Sequence, residues 1–218
     1  MKSYNCISRD FERIQSDLVS LNPMTKLLAV SKSQPFEAIE PVLNQGHRLF
    51  GESRLEEALE KWSSAKTIHN DLQLHYIGKL QSRKIGKIVQ FFDVIQTIES
   101  ISSLEKVAKY AEKYAKIQKI MIQINIGNEP QKSGVSIDDF HQLYERAIEL
   151  NAIELGGIMC IPPNTVQVRS YFESMKEIAK EYQLDSISMG MSQDYCIAID
   201  CGSTMIRIGK GIFGERNA

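Results

Sequence analysis

The chain has 218 residues, enough for one large domain or two small ones with a sizeable core. Hydrophobic residues make up 43% of it and charged residues 24%, which is ordinary for a globular protein. The formal net charge of -1 gives no electrostatic reason to expect a nucleic acid or an anionic membrane as a partner.

The sequence shows no sign of export. No apolar run approaches the roughly 20 residues needed to cross a bilayer. Residues 1–6 lead into a charged segment rather than into the apolar core of a signal peptide. The four cysteines, Cys6, Cys160, Cys196 and Cys201, lack CxxC spacing, and the four histidines are scattered. We therefore expect a cytoplasmic protein whose cysteines are small, reduced core residues, with neither a disulfide nor a metal site.

The chain begins with an amphipathic helix over residues 5–20, and strands then alternate with helices. The predicted strands are short, mostly apolar runs at residues 27–30, 48–51, 72–78, 92–98, 120–126, 155–161, 186–190 and 205–209. Apolar residues at helical spacing separate them, including Leu43, Trp62, Val89, Val107, Phe140, Ile148, Phe172 and Tyr195. Pro35 is expected in the first turn of the helix that follows the first strand.

This eightfold alternation, with no linker between its parts, predicts an α/β fold: a single (β/α)₈ TIM barrel over residues 1–218 with an extra N-terminal helix. The alternative is a doubly wound open sheet. Such a sheet normally has fewer strands, and no G-x-G-x-x-G motif opens the first helix here. In a barrel the active face lies at the carboxyl ends of the strands, so residues at those ends are the candidates for function.

Lys32 follows the first predicted strand. A lysine amine that is desolvated at a barrel mouth has a lowered pKa and can form a Schiff base with a carbonyl. The alternative is a surface lysine that begins a loop, which is the commoner case for any one lysine among 26 Lys and Arg residues.

Two further stretches can bind an anion. Ser192 follows the seventh strand and can cap a short helix, whose free N–H groups attract anions. Gly209 lets the backbone approach a ligand closely beside Lys210 at the end of the eighth strand. Phosphate sites of this barrel usually lie after strands seven and eight. The alternatives are a plain helix cap and a tight turn, with Arg207 in an ion pair.

A phosphorylated aldehyde would use all three features, with its carbonyl on Lys32 and its phosphate on the loops at Ser192 and Gly209–Lys210. Arg207 could then face a ring nitrogen. Because arginine cannot accept a proton from the ring, that nitrogen would stay unprotonated, and the cofactor would be a weak electron sink.

Eight stretches in order along the chain resemble the YggS/PROSC family, the pyridoxal phosphate homeostasis proteins. They are LAVSK (28–32), FGE (50–52), HYIGKLQS (75–82), QIN (123–125), KSG (132–134), SMGMSQD (188–194), GSTMIRIG (202–209) and IFGER (212–216). The family is similar to the barrel domain of alanine racemase. The resemblance implies pyridoxal 5'-phosphate bound covalently to Lys32, its phosphate on Ser192, Gly209 and Lys210, and Arg207 at the pyridine nitrogen.

Two positions depart from the family pattern. Ser53 and Arg83 stand where the family usually has asparagine, so Ser53 offers a shorter cofactor-side contact. His75 either lines the cofactor pocket or is a satisfied core histidine. Met159, at the end of the sixth strand, completes the candidate cofactor-binding residues.

We compare three functions. A carrier would bind pyridoxal phosphate reversibly, buffer the free cofactor and deliver it to apo-enzymes. A pyridoxal phosphate-dependent amino-acid racemase needs a second base opposite Lys32. In alanine racemases that base comes from an extra domain, which we do not expect after the eighth strand. An aldolase-type lysine usually lies on a later strand. We expect a monomeric carrier with no catalytic residue.

Overall fold

The computed structural model describes residues 2–215. Its strands are β1 Lys26–Val30, β2 Leu49–Glu52, β3 Gln73–Tyr76, β4 Val94–Ile98, β5 Gln118–Ile124, β6 Ile153–Cys160, β7 Ile187–Ser188 and β8 Met205–Ile208. Its helices are α1 Tyr4–Leu21, α2 Phe36–Asn44, α3 Leu55–Ile68, α4 Ile85–Phe91, α5 Ile101–Lys113, α6 Ile137–Glu149, α7 Val168–Glu181, α8 Tyr195–Asp200 and α9 Lys210–Phe213. Arg216, at the end of the last family stretch, lies outside the described residues.

The eight strands form a closed parallel barrel in sequence order. Pairing of β1 with β8 closes it, with Lys26 opposite Met205 and Leu28 opposite Arg207. Each strand is buried between the barrel interior and a layer of helices, which explains why β4 is buried at all five positions. The predicted (β/α)₈ architecture is therefore confirmed.

α1 is the predicted additional helix. Its apolar face is formed by Ile7, Phe11, Ile14 and Leu18, which are all buried. The helix packs against α2, α8 and α9, and so covers the junction between the first and last units of the barrel. Tyr195 in α8 fixes this junction by donating its hydroxyl proton to Asp17, at 2.6 Å.

Several details differ from the sequence predictions. A short helix, α9, follows Gly209, where the sequence analysis predicts a phosphate-binding loop or a tight turn and no helix. Pro35 is the residue before α2 rather than part of its first turn. Ile148 is 55% exposed, because it lies about 100° around the helix from the buried Ala147. Cys196 is exposed on α8, so it is not a core residue.

One glycine explains how β6 fits between its neighbours. The register of β5 and β6 shifts between Ile120 and Met121. At this bulge Gly157 has φ of 149°, and a Cβ atom on it would lie 2.0 Å from the carbonyl oxygen of Ser186. Only glycine therefore lets the chain before β7 approach β6 this closely.

In the part of the chain that the structure describes, no helix is long and apolar enough to span a membrane.

Candidate functional site

The carboxyl ends of the strands open onto a cavity of about 470 Å³. Its walls come from the ends of β1, β6 and β8 and from the segments that follow β3, β5, β6, β7 and β8. Six of the eight residues predicted from the sequence line it, namely Lys32, Met159, Ser192, Arg207, Gly209 and Lys210. Barrel closure brings the first strand beside the last, and so places Lys32 on the same cavity as the loops after β7 and β8.

Lys32 lies two residues beyond the end of β1, in a turn. It is half-buried and also lines a smaller hollow of about 260 Å³ with Gly209 and Lys210. The next residue, Ser33, has φ of 59°, in the left-handed backbone region that residues other than glycine rarely adopt. The chain therefore reverses sharply just after Lys32.

Arg207 is buried at the bottom of the cavity. Its Nη1 donates to the carbonyl oxygen of Ser188 at 2.6 Å and to the Ser188 hydroxyl at 2.9 Å, and Nη2 donates to the carbonyl oxygen of Cys160 at 2.7 Å. Burial lowers the pKa of the guanidinium, but a group with so high an ordinary pKa stays charged. Among the described residues no carboxylate pairs with Arg207, and two of its five N–H groups remain for a ligand.

A chain of buried hydrogen bonds runs from Arg207 across the barrel interior. Ser188 donates its hydroxyl proton to Gln96 Oε1 at 2.8 Å, and Gln96 Nε2 donates to His75 Nδ1 at 2.7 Å. Arginine can only donate, so the Ser188 hydroxyl accepts from Arg207 and donates its own proton to Gln96. The Gln96 amide then donates to His75, which must accept at Nδ1. Burial lowers the pKa of His75 to about 3, which agrees with a neutral ring.

The loops after β7 and β8 are joined at the far side of the cavity. The backbone N–H of Gly211 donates to the Ser192 hydroxyl oxygen at 3.0 Å, which leaves the hydroxyl proton of Ser192 available to a ligand. A Cβ atom on Gly209 would lie 3.1 Å from the carbonyl oxygen of Val30, so the backbone of β8 approaches β1 closely there. Lys210 is exposed and pairs with Glu215.

Within residues 2–215, four cations and one carboxylate line the cavity: Lys32, Lys132, Arg207, Lys210 and Asp194. Asp194 accepts the backbone N–H of Met191 at 2.6 Å. Lys132 pairs with Glu129 and donates to the carbonyl oxygen of Pro162 at 3.1 Å. Glu129 and Glu215 offset two of these cations, and Arg207, which is bonded to neutral oxygens, keeps the cavity favourable for an anionic ligand.

Two predicted residues lie elsewhere. Ser53 lines a separate hollow with Tyr76 and Lys79, beside α3. His75 is 3% exposed and lies in the barrel interior, where it forms a hydrogen bond with Gln96. It is therefore a core histidine with a hydrogen-bond partner and does not line the cavity. A cofactor contact from either residue stays a prediction.

Sequence comparison reveals the relatives of this chain. Residues 5–217 match the family described as alanine racemase, N-terminal domain. The pyridoxal phosphate homeostasis protein of Aquifex aeolicus (strain VF5) is 35% identical, over 99% of this chain and 99% of that protein. The protein of the same name from Pasteurella multocida (strain Pm70) is 37% identical, over 88% of this chain and 87% of that protein. The chain belongs to the YggS/PROSC family of pyridoxal phosphate homeostasis proteins.

Solved structures agree with the family. PipY of Synechococcus elongatus PCC7942, a COG0325 family member solved with PLP bound, is 32% identical. Its TM-score is 0.86, and the match covers 94% of this chain and 100% of PipY. Alanine racemase from Corynebacterium glutamicum has a TM-score of 0.76 at 16% identity, over 99% of this chain and 62% of that enzyme, which shows a shared fold. The resemblance read from the sequence motifs is thus confirmed at the level of family and fold.

The sequence did not reveal the residues that hold the cavity-lining residues in place. Ser188 and Gln96 hold Arg207 from within the barrel, and Glu52 and Lys61 lie behind the turn of Lys32. A signal existed for the first pair, since a polar residue inside a buried strand needs a partner. No signal marked Lys61, because it is one of many lysines on a helix.

Proposed function

We propose that this protein binds pyridoxal 5'-phosphate covalently, as a Schiff base with Lys32, and acts as a buffer and carrier of the cofactor in vitamin B6 homeostasis. The observation that carries the proposal is a single cavity lined by Lys32, Arg207, Ser192 and Gly209. The printed names of the relatives, and the PLP bound in PipY, support the same ligand.

The residues that line the cavity fit pyridoxal phosphate. Pyridoxal phosphate supplies an aldehyde that condenses with an amine. Lys32 offers the amine, and the Ser192 hydroxyl, the backbone at Gly209 and the Lys210 ammonium offer donors for the phosphate. Gly209 lies so close to β1 that a Cβ atom on it would be 3.1 Å from the carbonyl oxygen of Val30. Met159 contributes apolar surface to the wall of the cavity.

The chemistry of Arg207 favours the carrier function over the racemase. Its guanidinium has two N–H groups left for a ligand and no proton acceptor. If it faces the pyridine nitrogen, it donates a hydrogen bond to that atom and keeps it unprotonated. The ring then withdraws electrons weakly, and proton removal from an attached amino acid is poorly supported.

In the described part of the chain no tyrosine or histidine lines the cavity, so neither residue type offers a second base there. Tyr76 donates its hydroxyl proton to the carbonyl oxygen of Lys79 at 3.2 Å, and burial raises its pKa to about 12. Tyr195 donates to Asp17 on the outside of the barrel. Neither tyrosine is placed to act as a second base opposite Lys32.

The carrier role also predicts partners and location. Its partners would be pyridoxal phosphate and apo forms of enzymes that use it, with no nucleic acid or membrane. We propose a monomer in the cytoplasm. Sedimentation of the protein with and without cofactor tests the monomer, and a stable dimer would exclude it.

The decisive experiment traps the bond. The protein is incubated with pyridoxal phosphate, reduced with borohydride, digested and mapped by mass spectrometry. We expect the pyridoxyl group on Lys32 in the wild type and in the control Lys66→Ala, whose lysine pairs with Asp93 away from the cavity. Lys32→Ala should carry none. A label on another lysine, or no label in the wild type, would refute the proposal.

A second measurement separates carrier from racemase. The loaded protein is mixed with an apo-aminotransferase, and recovery of aminotransferase activity reports transfer of the cofactor. Inversion of L-alanine is followed in parallel with Lys32→Ala as the background. We expect transfer without inversion above background. Inversion that depends on Lys32 would make the protein an enzyme.

A further inference from the structure

A buried ion cluster lies behind the turn that carries Lys32. It consists of Glu52 at the end of β2 and of Glu57 and Lys61 on α3, and we call it the Lys61 cluster. The side chains of Glu52 and Lys61 are 0% and 6% exposed, and that of Glu57 is 24% exposed. Charged groups are rarely buried this deeply unless they are paired.

Lys61 donates three hydrogen bonds from its ammonium group. The acceptors are the carbonyl oxygen of Ser31 at 2.8 Å, Glu52 Oε1 at 2.9 Å and Glu57 Oε1 at 2.8 Å. An ammonium has three protons, so its donors are fully used. Lys61 therefore joins two carboxylates to the backbone of the residue that precedes Lys32.

The carboxylates bind the same turn directly. Glu52 Oε1 accepts the Ser31 hydroxyl proton at 2.7 Å, and Glu57 Oε1 accepts the backbone N–H of Ser33 at 2.5 Å. The residues immediately before and after Lys32 are thus both attached to the cluster. Trp62 adds a bond from its indole N–H to Glu52 Oε1 at 3.0 Å, which fixes that carboxylate.

The turn needs such support. Ser33 has φ of 59°, a conformation that costs free energy for any residue with a side chain. Its N–H would have to find another acceptor if Glu57 were absent. A charged acceptor forms a stronger hydrogen bond than a neutral one, so Glu57 offsets part of the strain.

We propose that the Lys61 cluster is a clamp that fixes the backbone on both sides of Lys32 and thereby slows release of the cofactor held there. In that release water would hydrolyse the C=N bond and give back the Lys32 amine and the free aldehyde. Glu52, Glu57 and Lys61 are positioning residues, since they act through Ser31 and Ser33. The inference rests on the proposed function for its ligand, but the clamp itself is a property of the cofactor-free chain.

The test compares two lysines of one helix. Lys61→Met breaks the clamp. Lys66→Met removes the other partly buried lysine of α3, which donates to Asp93 and to the carbonyl oxygen of Phe91 at the opposite end of the barrel. Lys61→Arg keeps the charge and serves as the rescue. Glu57→Ala removes the acceptor of the Ser33 N–H and, being partly exposed, is the variant expected to fold if Lys61→Met does not.

Two readouts are measured. In the cofactor-free protein, we expect amide hydrogen exchange in residues 31–34 to be at least about tenfold faster in Lys61→Met and Glu57→Ala than in the wild type. In the loaded protein, we expect release of pyridoxal phosphate to an apo-aminotransferase to be about tenfold faster in the same variants. Lys66→Met should leave both rates unchanged, and Lys61→Arg should restore most of the difference.

The outcomes are distinct. Unchanged exchange in both clamp variants, or equal release rates for Glu57→Ala and Lys66→Met, would overturn the clamp. A wild type that never binds pyridoxal phosphate would overturn the proposed function and the role in release, while the exchange measurement would still decide whether the cluster holds the turn.

Discussion

The two ends of the barrel use charge differently. At the carboxyl ends of the strands, Arg207 is buried and bonded to neutral oxygens, and Lys61 is buried between two carboxylates. At the amino ends, Lys119 pairs with Glu154 and Lys66 with Asp93, with side chains that are 25–55% exposed. Exposed pairs contribute little to stability, whereas buried charges are costly unless every bond is made. The costly arrangements surround the candidate site.

The largest expected difference is in the stability lost when Arg207 or Lys119 is replaced by methionine. Arg207→Met would leave the carbonyl oxygens of Ser188 and Cys160 and the Ser188 hydroxyl without their donor. We expect a loss of about 3 kcal/mol in the free energy of unfolding, measured by urea denaturation. Lys119→Met, which breaks an exposed pair with Glu154, should cost less than about 1 kcal/mol.

The same variant tests the cofactor contact. If Arg207 keeps the ring nitrogen unprotonated, the absorbance of bound cofactor should gain a pH dependence in Arg207→Met that the wild type lacks. Equal losses of stability in Arg207→Met and Lys119→Met would remove the distinction between the two ends. An identical absorbance at every pH would remove the contact with the ring.

Two histidines with a lowered pKa give the next contrast, through pH. His75 lies in the barrel interior with a pKa lowered by burial to about 3, and His47 lies near the amino ends with a pKa lowered by burial to about 4. Both have an ordinary pKa of 6.5, so below pH 6.5 the unfolded chain binds protons that the folded chain does not. Stability should therefore be highest above pH 6.5 and fall as the pH decreases towards 3–4.

Each histidine adds at most about 1.4 kcal/mol per pH unit to that slope. Urea denaturation of the wild type between pH 7 and pH 4 measures it. His75→Gln, which keeps an acceptor for Gln96, should flatten the slope more than His47→Gln, because His47 is partly exposed. If His75→Gln follows the wild-type curve, the imidazole is not held neutral in the fold.

The sequence could predict the barrel and much of the site because both depend on local patterns. Apolar runs marked the strands, and Lys32, Ser192 and Gly209 lie just after strands whose ends must converge in a closed barrel. The resemblance to a known family then supplied the ligand. Neither source needed side-chain contacts.

The support of the site could not be predicted in this way. The bond of Ser188 to Gln96 joins β7 to β4 across the barrel, and its existence depends on which strands face each other. Lys61 reaches Ser31 from a neighbouring unit, 30 residues along the chain. α9 was missed because its four residues, which follow Gly209 directly and make only about one helical turn, carry too little apolar periodicity to mark a helix.

Two serines provide the smallest contrast. Ser192 accepts the backbone N–H of Gly211 at the cavity, and Ser136 accepts the backbone N–H of Asp139 at the start of α6, on the outside of the barrel. Each alanine variant loses one acceptor, so both should lose about 1 kcal/mol of stability in urea denaturation. Only Ser192→Ala also loses a donor to the phosphate, and we expect its affinity for pyridoxal phosphate, measured by absorbance titration, to fall about tenfold. Unchanged affinity in Ser192→Ala, or an equal fall in Ser136→Ala, would mean that the phosphate is held elsewhere, because Ser136 also donates to Asp139 at 2.6 Å but does not line the cavity.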